Sequence, residues 1–121
     1  MYEKMMELLR LLLDQTRAGK VEWEYLADDE MVRASIGKGL VRIGRETGTI
    51  TPDGGQALPA TTVYYLVWVI GPNGGVTDDY IVTPLEPRNY EVVSQLYQTA
   101  RTGARDSNQV LQTMIDVLSA R

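Results

Sequence analysis

Along the first eighteen residues, charged side chains recur at Glu3, Glu7, Arg10, Asp14 and Arg17. This 4-3-4-3 spacing places them in one narrow stripe of a helix over 2–18, with ion pairs at helical separation within it. Almost everything else is apolar: Met5, Met6, Leu8, Leu9, Leu11, Leu12 and Leu13. A surface helix needs one apolar face a little wider than 100°, and this one is apolar well beyond that. Gly19 ends it, as glycine commonly does just past a helix.

The period then changes. Val21, Trp23 and Tyr25 alternate with Glu22 and Glu24, which predicts a half-buried strand. Asp28, Asp29 and Glu30 make a polar turn. Residues 31–36 and 40–45 read as two strands joined by Gly37-Lys38-Gly39, a glycine-rich hairpin loop. Residues 47–60 hold Pro52, Asp53, Gly54, Gly55 and Pro59 and read as the longest and most mobile loop. Residues 61–70 form the strongest strand. Val63, Tyr65, Val67 and Val69 face one way and Tyr64, Leu66, Trp68 and Ile70 the other, so both faces ask for cover. After the turn Gly71-Pro72-Asn73-Gly74-Gly75, residues 76–83 return as its partner, and Pro84 and Pro87 stop the sheet.

The helical period resumes at 88–102, with Val92, Val93, Leu96, Tyr97 and Ala100 on one side, and Gly103 breaks it. Asp106 or Ser107 caps a last helix carrying Val110, Leu111, Met114, Ile115, Val117 and Leu118. The expected fold is α+β: an N-terminal helix, an antiparallel sheet of about five strands and two C-terminal helices. No linker or repeat interrupts it, so residues 1–121 read as a single domain.

Composition narrows the chemistry. The chain contains no histidine and no cysteine, which removes imidazole catalysis, thiol nucleophiles, disulfides and zinc–thiolate sites. No catalytic residue, metal ligand or cofactor is assigned. The formal net charge of −4 disfavours nucleic acid as a partner. The longest apolar run, 63–70, is too short to span a bilayer, and Glu3 and Glu7 interrupt any signal-peptide pattern. A cytoplasmic protein with no membrane association is expected.

Two groups of residues carry candidate functions. Arg33, Lys38, Arg42 and Arg45 concentrate in one predicted hairpin, where guanidinium groups suit an anion, a nucleotide or an acidic partner; a solvated sheet edge kept soluble by charge has the same composition. The second group is the surplus of the first helix. A sheet covers only one side of a helix, so Met5, Leu8, Leu9, Leu12 and Leu13 are candidates for an interface with another copy. Two carboxylate groups, 28–30 and 78–79, read as solvated turns. Seven tyrosines and two tryptophans with no phenylalanine suit packing and interfaces, where an apolar body carries a polar tip.

The stretch 8–24, LLRLLLDQTRAGKVEWE, resembles small bacterial α+β proteins in which a leucine-rich helix leads through T-x-x-G-K-V-x-W-E into a strand. LYQTAR at 96–101, followed by a short capped helix, is similar to the same group. The resemblance implies the same element order and a bacterial or mobile-element origin, and it carries no activity across. The expectation is a non-enzymatic, homodimeric protein-interaction module that binds another protein. A binder of a nucleotide or other anion is the alternative, and a carboxylate- or lysine-based enzyme a lesser one.

Overall fold

The fold is described from a computed structural model, over residues 2–51 and 55–120, with backbone alone for 105–110. Helix α1 (Glu3–Arg17) leads into a sheet of β1 (Glu24–Leu26), β2 (Met31–Ile36), β3 (Gly39–Thr47), β4 (Val63–Ile70) and β5 (Val76–Val82). Helix α2 (Pro87–Gly103), a two-residue strand β6 (Arg105–Asp106) and helix α3 (Ser107–Ser119) follow. The strand order is β5-β4-β3-β2-β1-β6. Strands β1 to β5 pair antiparallel in sequence order, whereas β6 joins the outer side of β1 in parallel. The chain is therefore α+β, as expected.

Two expected elements differ in extent. The first strand is not the alternating run 21–25 but the three residues from Glu24. Trp23 is buried, and its indole N–H donates to Thr16 Oγ1 at 2.9 Å, which ties this stretch to α1 rather than to β2. The pair Asp78–Asp79 lies inside β5 rather than in a turn. The β2–β3 loop is tighter than a three-residue link. Ile36 pairs with Gly39, leaving Gly37 and Lys38 between them. Gly37 has φ of 59°, the positive first position that a type II′ hairpin turn requires of glycine. Of the loop 47–60, Pro52, Asp53 and Gly54 lie outside the described residues.

Alternation along the strands splits the sheet into two faces. One face carries Val32, Ala34, Val41, Ile43, Tyr65, Val67, Tyr80 and Val82, all buried. Against it pack Val93, Leu96, Tyr97 and Ala100 of α2, with Met6, Leu9, Leu12 and Leu13 of α1 beside them. Helices α1 and α2 also pack on each other. Much of the surplus of α1 is thus buried in its own chain's core, with α2 as its main neighbour.

Tyrosine hydroxyls pin α2 to the sheet. Tyr90 donates to the Val63 carbonyl at 2.8 Å, Tyr97 to the Glu30 carbonyl at 3.0 Å, and Tyr65 meets Ser94 Oγ at 3.3 Å. Tyr80 donates to Glu86 Oε2 at 2.7 Å, holding the start of α2. Burial, followed by the charge and hydrogen bonding of neighbouring groups, pushes the Tyr80 and Tyr97 phenols up from 10.0 to about 12. The sign follows from linkage: the unfolded chain releases these protons near its ordinary value while the folded chain still holds them. Stability should be complete below pH 10 and fall as pH rises towards 12. Phenolate absorbance followed with circular dichroism checks this. Tyr80 and Tyr97 should ionise only as the fold is lost, and ionisation of both near pH 10 in a sample that stays folded would contradict it.

Candidate functional site

Among the described residues, no helix packs across the opposite face of the sheet in the way that α2 covers the first; α3 touches it only at the β1–β6 edge. It presents Met31, Leu40, Leu66, Trp68 and Ile70, each half-buried, with Val76 and Ile81 exposed. The register places Ile81 opposite Leu66, and Val76 opposite Ile70. The outer side of β4–β5 is therefore an apolar strip interrupted by one carboxylate, Asp79, which stands opposite Trp68. Gly44 shapes its inner border: a Cβ there would lie 3.3 Å from Trp68 Cζ3, so its absence lets the indole lie across β3.

The four basic candidates do not converge. Arg33 and Arg42 are direct cross-strand partners on this open face, and Arg42 in turn stands opposite Trp68. Arg45 stands opposite Tyr65, on the face that packs against α2. Lys38 is at the hairpin tip. Arg33 is already engaged: its Nε and Nη2 reach Glu24 Oε2 at 3.1 and 3.0 Å. This partly exposed pair lies at the last registered position of β1 with β2, and an exposed ion pair of this kind stabilises by less than about 1 kcal/mol. Its other effect is to offset the repulsion of two like charges directly opposite each other on adjacent strands. The Nε atoms of Arg42 and Arg45 are buried without an acceptor. An anion site built from all the basic residues is thus divided by the sheet itself.

The interface candidates also divide. Leu9, Leu12 and Leu13 lie in the chain's own core, and Met5 and Leu8 are half-buried against it. They are not the free apolar surface of the molecule, because α2 covers the side that a sheet leaves open. Among the apolar residues of α1, Leu11 is left exposed.

The free surface lies instead on α3. Leu111, Met114, Ile115, Val117 and Leu118 are each more than half exposed, from 53% at Ile115 to 69% at Leu118. Their spacing gathers them on one side of the helix, while Gln112, Thr113 and Asp116 occupy the other. Gln112 donates to Asp116 Oδ1 at 2.9 Å along that polar side. Helix α3 carries one ionisable residue, Asp116, in thirteen, whereas α1 carries six in fifteen. The helical period alone reads these apolar residues as one more core-facing helix; what exposes them is that α1 and α2 already fill the packed face of the sheet.

Where β1 and β2 part, a cleft of ≈ 830 Å³ opens between Val21–Glu24 and Ala34–Ile36, with Leu111 of α3 at its rim. Its charges, Lys20, Glu22, Glu24 and Arg33, are mixed in sign and include the pair already described. Asp28 and Asp29 lie in a short 3₁₀ turn, while Asp78 and Asp79, as neighbours in a strand, point to opposite faces. Among the described residues no three acidic side chains gather as a metal site would require, and no helix is long and apolar enough to cross a membrane. No family model, curated protein or solved structure matches the chain.

Proposed function

We propose that the protein is a cytoplasmic, non-enzymatic interaction module that works by self-association, with α3 as its adhesive element. The observation that supports this most is the exposure of five large apolar side chains on one side of α3. Together they offer roughly 500 Å² of apolar surface, at the upper end of the largest patch a soluble monomer shows. A helix with that composition is stable in water only when its apolar side is covered, and a two-fold dimer is the commonest way for a chain to cover itself. The dimer then presents its remaining surfaces, including Arg42, to a further protein partner.

Light scattering across a dilution series tests the proposal. The expected mass is about twice 13.5 kDa at micromolar concentration and above, falling towards 13.5 kDa on dilution. A mass of 13.5 kDa throughout the series would remove the proposal.

A further inference from the structure

We infer that α3 of each copy seats on the open face of β4–β5 of the other, so that the two chains exchange helices reciprocally. The inference rests on the self-association proposed above and specifies its geometry.

Three observations lead to it. The first is a second uncovered surface on the same chain. Strand β4 is apolar on both sides, yet only the Tyr65–Val67 side is buried by helices; Leu66, Trp68 and Ile70 with Val76 and Ile81 wait on the other. The second is reach. Helix α3 starts at the residue after β6, with no linker between them, and β6 is on the outer side of β1. Four strand spacings, about 19 Å, separate β6 from β4. In the single chain α3 contacts β6 and β1, at the edge of the sheet far from the strip, whereas a second copy brings its helix from outside.

The third is area. Two α3 helices packed only on each other would bury about 1,000 Å² in total, below the 1,200–2,000 Å² of stable specific interfaces. Reciprocal seating uses two helices and two sheet strips and reaches about 2,000 Å². The dimensions agree. Thirteen residues of helix span about 20 Å, and the eight residues of β4 about 26 Å. Charge stands mostly at the margins. Asp116 lies on the side of α3 away from its apolar residues, Arg33 and Arg42 stand on β2 and β3 beside the strip, and the strip's own carboxylate, Asp79, is on the outer strand β5, at the solvent margin of the seat. The seated helix therefore buries no ionised group of its own. Each sheet then has helices on both faces.

Complementation tests the seat. Ile81→Asp alters the sheet strip and Leu118→Asp alters the helix; both positions are exposed in the single chain, so far-UV circular dichroism should be unchanged. Each variant alone should run at 13.5 kDa where the parent chain runs at about twice that. An equimolar mixture should restore association in part: the Ile81→Asp copy supplies an intact helix and the Leu118→Asp copy an intact strip, which rebuilds one of the two seats, so the mixed pair should be tighter than either variant alone and weaker than the parent. Because the chain has no cysteine, Ile81→Cys mixed with Ile115→Cys gives a second readout, and the disulfide-linked product should combine the two variants. An Ile81→Asp chain that dimerises as tightly as the parent, or linkage of Ile115→Cys copies only to one another, overturns the seat and leaves self-association standing. A parent chain that is monomeric throughout removes both.

Discussion

Leu9→Ala should lower the unfolding free energy by about 2–5 kcal/mol, the range for a buried leucine truncated where the surroundings relax only in part. Leu9 is fully buried on α1. It is grouped with Met6, Leu12 and Leu13 of the same helix and with Val93, Leu96 and Ala100 of α2. Removing its isobutyl group opens a void where two helices and a sheet meet, and no single element can move to fill it. Domains of this size are stable by roughly 5–15 kcal/mol, so the variant stands near the edge of folding at elevated temperature. Urea denaturation of the dilute chain checks this: the midpoint should drop while the slope holds, since the surface exposed on unfolding is the same. A loss below about 1 kcal/mol would mean that α1 is not packed inside its own chain, and would return Leu9, Leu12 and Leu13 to the position of an intermolecular surface.

The sequence makes the elements visible and leaves their cover undetermined. Alternation in 61–70 and 31–36 identifies strands and faces because a strand has no freedom in where successive side chains point. The same rule separates Arg42 from Arg45: three residues apart on one strand, they fall on opposite faces, so the division of the basic group is legible in the spacing alone. Trp23 shows the opposite limit. Its place in an alternating run fits a strand, but its indole N–H bonds to Thr16, a tertiary contact that periodicity does not encode. The apolar excess of α1 and the apolar side of α3 look alike in sequence. Which of them ends outside depends on how many helices one sheet face accommodates, and α1 with α2 fill it. For that reason the pattern points to a surplus on Leu9, Leu12 and Leu13, whereas the exposed surplus is on Leu111, Ile115 and Leu118.

The complementary result is expected when Leu111, Ile115 and Leu118 are replaced together by glutamine. In the single chain these side chains are more than half exposed, and surface changes of this kind shift stability by no more than about 0.5 kcal/mol each. Glutamine is close to leucine and isoleucine in helix propensity, so α3 keeps its backbone preference. In the proposed dimer the same three side chains would enter an apolar interface, where each buried leucine or isoleucine contributes about 1.5–3 kcal/mol. Their joint loss exceeds about 4 kcal/mol, and each 1.4 kcal/mol is tenfold, so the dissociation constant should rise by about 1,000-fold or more. Sedimentation equilibrium measures that constant, and urea denaturation at low concentration measures the monomer. The two effects separate the roles of two apolar helices that composition alone makes alike. Truncating α1 should damage the fold of each chain; altering α3 should spare the chain and dissociate the proposed pair. If the triple variant unfolds early while its association constant is unchanged, α3 packs on its own chain and the adhesive surface must lie elsewhere.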